Sequence, residues 1–102
     1  MLDLILKERL PVIVQGITGR TGRQHAVAMR AYGTSVVAGV GREIGDVDRI
    51  PVFLDCAAAV AATGAQASVV LVPPQGVRAA VLAAIDAGVR LIVCVTEGVP
   101  IH

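Results

Sequence analysis

Short runs of β-branched residues alternate along this chain with longer Ala-rich segments whose apolar positions recur at helical spacing. Val12-Ile-Val14, set between Pro11 and Gly16, is apolar at every position and predicts a strand buried on both faces. Arg20 to Ala31 predicts a helix stopped by Gly33. Ser35 to Val40 predicts a second strand and Gly41 to Arg49 a polar loop. Ile50 to Phe53 reads as a short strand whose Pro51 suits a sheet edge or a strand start. Asp55 is placed to cap the Ala-rich helix Cys56 to Ala62, which Gly64 closes. A strand over Ala67 to Val72 ends at Pro73-Pro74. A helix over Gly76 to Ala87 ends at Gly88, and Leu91 to Val95 gives the last strand.

Strand–helix alternation with uniformly apolar strands implies a parallel sheet covered by helices. The expected fold is α/β: a Rossmann-like, doubly wound parallel sheet of about five strands with helices on both faces, in the order 3-2-1-4-5. No repeat or linker divides the 102 residues, which read as one domain.

Composition narrows the function classes. The chain is 55% hydrophobic and 17% charged, so it carries enough apolar surface for a packed core. Only Tyr32 and Phe53 are aromatic, which argues against binding by aromatic stacking, as in single-strand nucleic-acid binders. A net charge of +1 gives no electrostatic footprint for nucleic acid or an anionic membrane. Cys56 and Cys94 are far apart and lack a metal-ligand spacing, so they read as small core residues of a protein in a reducing compartment. The apolar runs fall short of the roughly 20 residues of a membrane span, and the amino terminus does not have the pattern of a signal peptide. The cytoplasm is the expected location.

Ligands of a doubly wound sheet bind beyond the carboxyl ends of its strands. Four segments fall there: Gly16-Ile-Thr-Gly-Arg-Thr-Gly22, Gly39-Val-Gly-Arg42, Pro73-Pro74 and Thr96-Glu-Gly98. The first is the most informative. Gly16, Gly19 and Gly22 follow a strand directly and open a helix, where unpaired N–H groups attract phosphate. The hydroxyls of Thr18 and Thr21 add donors, and Arg20 adds charge. A dinucleotide site of the NAD type expects an acidic residue at the end of the second strand; this chain has Gly41-Arg42 there. Arg42 suits a further ribose phosphate, as in NADP or coenzyme A, and reads equally well as a solvated loop residue. Pro73 reads as a strand terminator or a ligand contact. His25, one turn into the first helix, reads as a packed or surface histidine.

Val12-Ile-Val-Gln-Gly-Ile-Thr-Gly-Arg-Thr-Gly22, Ala31-Tyr-Gly-Thr34, Val37-Ala-Gly-Val40, Pro51-Val-Phe53, Ala84-Ile-Asp-Ala-Gly88 and Val95-Thr-Glu-Gly-Val-Pro100 together resemble the CoA-binding domain of the succinyl-CoA synthetase α subunit. The likeness runs in order over nearly the whole chain. It implies a module that holds coenzyme A for a nucleotide-driven acid–CoA ligase, working with an ATP-grasp β subunit. It further implies that Thr18-Gly19-Arg20-Thr21 grips the CoA phosphates and that Val95, Thr96 and Glu97 line the path to the thiol. The family's lysine-bearing loop after the second strand is replaced here by Gly41-Arg-Glu-Ile-Gly45, with Arg42 as the substitute cation. The family's phosphohistidine belongs to a second domain, so the resemblance implies a chain ending before it, able to bind CoA and unable to complete the ligase cycle. Other readings that remain open are an NADP-binding fragment of a reductase and a stand-alone CoA-sensing protein.

Overall fold

The computed structural model describes residues 9–95. In chain order its elements are β1 (Val12–Gln15), α1 (Arg20–Ala31), β2 (Val36–Val40), β3 (Gly45–Val47), β4 (Ile50–Phe53), α2 (Cys56–Thr63), β5 (Ala67–Val70), a 3₁₀ turn (Pro74–Gly76), α3 (Val77–Ala87) and β6 (Leu91–Cys94). The strands form one six-stranded sheet in the order β3-β4-β2-β1-β5-β6. All neighbours are parallel except β3 and β4. Without β3, the parallel strands keep the expected 3-2-1-4-5 order. This is a Rossmann-like α/β fold.

Alternation along β1 explains the layering. Val12 and Val14 point to one face, where they join Ile50, Val52, Ala67 and Val69 beneath Ala26 and Met29 of α1. Ile13 points to the other, packing with Ala38 against Cys56 and Ala59 of α2 and Ala84 of α3. Successive strand residues face opposite ways, so the apolar run Val12-Ile-Val14 must be covered on both sides, as it is. The helices meet the sheet largely through Ala and Cys, small residues that let their backbones lie close to a Val-rich surface.

The helix limits follow their sequence signals. Asp55 Oδ1 accepts the Ala58 N–H at 2.7 Å, and Gly64 closes α2 in the left-handed conformation at φ 70°. After α1, Gly33 turns the chain at φ 109°, and the Thr34 N–H reaches back to the Met29 carbonyl at 2.9 Å. No helix among the described residues is long and apolar enough to cross a membrane.

Three expectations are corrected. The polar stretch Gly41 to Arg49 is not all loop, because it contains β3, paired antiparallel with β4. Asp48 and Arg49 adopt φ 50° and 72°, the two positive values of a type I′ turn, and so fold Val47 back onto Ile50. As a result β4 is an inner strand rather than an edge. Pro51 lies opposite Asp46 of β3, and the ladder to β2 begins one residue later at Val52, paired with Gly39. Finally, β5 ends at Val70 and α3 begins at Val77, because Pro73-Pro74 turns the chain through a 3₁₀ step instead of starting the α-helix at Gly76.

Candidate functional site

Register decides where the connections gather. Gln15, the last residue of β1, lies level with Val40 of β2 and Val70 of β5. The chain then leaves β1 toward α1, β2 toward the β3–β4 hairpin and β5 toward α3, all from the same end of the sheet. α1 covers one face and α3 the other, so these connections diverge and leave a crevice above β1. The crevice is a cleft of about 600 Å³. Val40, Leu71 and Val72 give it an aliphatic floor, and Gly16, Thr18, Gly19, Gly41, Arg42 and Pro73 line its sides.

The turn after β1 is tight. The Gly16 N–H donates to the Val40 carbonyl at 2.9 Å, and the Gly19 N–H donates to the Gly16 carbonyl at 3.1 Å. Gly16 has φ 90°, and a Cβ there would meet the Leu71 carbonyl oxygen at 2.8 Å. Both the backbone angle and the space exclude a side chain.

α1 starts at Gly19 without a side-chain cap and without an acidic residue in its first turn. Helix starts usually gather Asp or Glu, which offset the positive end of the helix dipole. Here the first turn begins with Arg20, and Arg23 follows three residues later. This end of α1 is electropositive and unneutralised by its own side chains. An anion placed beside it would meet free N–H groups, the dipole and two guanidinium groups.

Thr18 links this turn to the loop after β2. Its Oγ1 accepts the Arg42 N–H at 3.3 Å. The contact is so close that a Cβ on Gly41 would lie 2.4 Å from Thr18 Cγ2. Thr18 also borders a second cleft of about 430 Å³, lined by Arg23, Glu43 and the β3 residues Gly45 to Val47. A Thr18 hydroxyl that accepts from Arg42 keeps its own proton to donate.

The sequence-predicted residues are therefore partly assembled. Gly16, Thr18, Gly19, Arg42 and Pro73 line one cleft. Arg20, exposed, and Thr21, half-buried, are the first residues of α1 beside it, whereas Gly22 is buried in the turn and serves its packing. Val95 is not among the residues lining the cleft. Its N–H continues the ladder to the Val70 carbonyl at 3.0 Å, and its side chain packs on the core beneath α1. Thr96 and Glu97 lie outside the described residues. His25 is half-buried within α1 and lines neither cleft.

Two lining residues had weak signals in the sequence. Gln15 is the lone polar residue ending an apolar strand, and Arg23 continues the basic first turn of α1. Among the described residues, no group of three or more His, Cys, Asp or Glu side chains is arranged to hold a metal ion.

Comparison with known proteins matches the sequence of this chain to a family. The CoA binding domain family matches residues 7–98. The chain is 46% identical, over 99% of its length, to the succinate–CoA ligase [ADP-forming] subunit alpha 2 of Archaeoglobus fulgidus. It is 44% identical over 98% of its length to the succinate–CoA ligase [ADP-forming] subunit alpha of Aquifex aeolicus. It is also 41% identical over 97% of its length to the malate–CoA ligase subunit alpha of Methylorubrum extorquens. The alignments take in 36%, 33% and 34% of these relatives, so the chain spans about a third of their length. With a family match over nearly the whole chain and a crevice at the switch point of its sheet, the chain belongs to the CoA binding domain family.

Proposed function

We propose that this chain binds coenzyme A in the cleft above β1 and positions it as the acyl acceptor of an acid–CoA ligase driven by ATP or GTP. The observation that carries this reading is the uncapped, basic start of α1 at the side of the cleft. A bare helix N-terminus with arginines in place of acids is well matched to the CoA phosphates. The Thr18 hydroxyl and Arg42 add a donor and a cation on the β2 side, and the aliphatic floor suits the uncharged arm of CoA.

The mechanism assigned to the domain is positional. Fixing the phosphates at α1 holds the arm, and with it the thiol, in one direction over the sheet. That lowers the entropic part of the barrier to thiol attack on an activated acyl group. Acyl activation, through a phosphohistidine in a further domain, and nucleotide binding by an ATP-grasp partner subunit belong to the rest of such a ligase. The relatives named for succinate and for malate support a carboxylic acid substrate of this type.

Titration calorimetry and thermal unfolding with CoA, 3′-dephospho-CoA, NADPH and ATP test the reading. Stabilisation by CoA is expected, with a ligand at about 100 times its Kd contributing about 2.7 kcal/mol. Stabilisation by NADPH and not by CoA would overturn it in favour of a reductase-type nucleotide site.

A further inference from the structure

Gln15 is the single polar residue of β1 and is only 4% exposed, yet it lines the cleft. Its Nε2 lies 3.0 Å from the Ala80 carbonyl oxygen at the start of α3 and 3.0 Å from Ser68 Oγ on β5. A main-chain carbonyl only accepts hydrogen bonds, so the amide group facing Ala80 has to be the nitrogen. Its two N–H groups are thereby both engaged inside the protein, and the side chain cannot flip without setting two acceptors against each other.

The oxygen is left over. Gln15 Oε1 accepts nothing from the described residues. No side-chain nitrogen or oxygen among those residues is both fully buried and unpartnered, so Oε1 is the part of Gln15 that remains accessible. The accessible side is the cleft. The cleft thus has a polarity: the uncapped start of α1 and Arg42 on the side of Gly19 and Gly41, and one fixed acceptor at Gln15. A phosphate oxygen is itself only an acceptor and is repelled there. An amide N–H is matched.

We infer that Gln15 is a specificity-determining residue that accepts a hydrogen bond from an N–H group on the uncharged arm of the ligand. It thereby directs that arm across β1 while the phosphates stay at α1. This inference rests on the CoA reading, since CoA carries its amide N–H groups on that arm.

Titration calorimetry with CoA and with adenosine 3′,5′-bisphosphate, the same nucleotide end without the arm, separates the roles. Gln15→Met is expected to weaken CoA about tenfold while leaving the bisphosphate within about twofold. Ser68→Ala, which removes an internal partner and keeps the Gln15 oxygen, is expected to leave both ligands within about twofold. Equal losses for both ligands, or equal losses in both variants, would reduce Gln15 to a structural anchor and overturn the inference. Unchanged CoA affinity in Gln15→Met would overturn it too. If Gln15→Met does not fold, a CoA analogue with N-methylated arm amides, titrated into the unsubstituted chain, is expected to bind at least about tenfold more weakly; equal binding overturns the inference. Failure of the unsubstituted chain to bind either CoA or the bisphosphate would instead bring down the CoA reading, and this inference with it.

Discussion

A Cβ on Gly22 would lie 1.9 Å from the carbonyl oxygen of Gly16 and 2.7 Å from its carbonyl carbon. The first turn of α1 is therefore pressed directly onto the peptide group that ends β1, and no flexible side chain stands between them to give way. The turn after β1 keeps its shape because two glycines meet backbone to backbone. Gly22→Ala is expected to destabilise the fold by about 1–3 kcal/mol, the range of overpacked cores, measured by urea denaturation. CoA binding should fall further than the loss of folded protein explains, because relief of the clash moves the start of α1. Unchanged stability would show that the turn yields freely.

Arg42 lines the cleft from the loop after β2, and its own N–H is tied to Thr18. Its guanidinium is expected to meet the 3′-phosphate of CoA, so Arg42→Ala should weaken CoA about fivefold, the effect of roughly 1 kcal/mol for an exposed ion pair. Binding of 3′-dephospho-CoA should change less than about twofold, and the difference should shrink at high salt. Equal losses for both ligands in parallel titrations would move Arg42 away from that phosphate.

The β3–β4 turn holds two side-chain-bearing residues at positive φ, Asp48 at 50° and Arg49 at 72°. Asp48 has a compensating partner: Arg30 of α1 bonds both its carbonyl and its carboxylate. No such contact holds Arg49, which is exposed. Arg49→Gly is expected to stabilise the chain by about 0.5–1 kcal/mol, since glycine takes this conformation without the Cβ penalty. Chemical denaturation of the variant provides the check, and a loss of stability would argue against a type I′ turn.

Burial pushes the Cys56 thiol above its ordinary value of 9.0, and the neighbouring Asp55 carboxylate pushes in the same direction. Below that value both the folded and the unfolded chain hold the proton, and the thiol leaves stability independent of pH. As pH rises past it, the unfolded chain releases the proton first, so folded stability declines through the folded-state value. Urea midpoints measured from about pH 8 to about pH 10 should fall less steeply in Cys56→Ala than in the unsubstituted chain. Cys94, read from the sequence as a core residue, is instead exposed, so at neutral pH a thiol reagent should modify it well before buried Cys56.

The parallel half of this fold is legible in the sequence because β1, β2 and β5 are built mainly of Val, Ile and Ala and the helices carry Gly and Asp at their ends. β3 is not, since Gly45-Asp46-Val47 has neither the composition nor the length of a strand. Its one clue is the pair Val47 and Ile50 set around two polar residues, a hairpin signal blunted by the absence of the usual glycine. The site divides the same way. The glycines of Gly16 to Gly22 announce a tight strand-to-helix turn by their spacing. The orientation of Gln15 is set by the Ala80 carbonyl, 65 residues further along, and no local pattern carries that relation.

β3 also matters for association between molecules. An inner strand such as β4 left at the edge would offer the unpaired backbone groups of Ile50 to Val52 to strands of other molecules, a common start of aggregation. Three residues with an exposed glycine and an exposed aspartate end the sheet on that side instead. The guard and the cleft-lining Arg42 share one connection between β2 and β4, so changing this loop to alter the cleft also puts the solubility of the domain at stake.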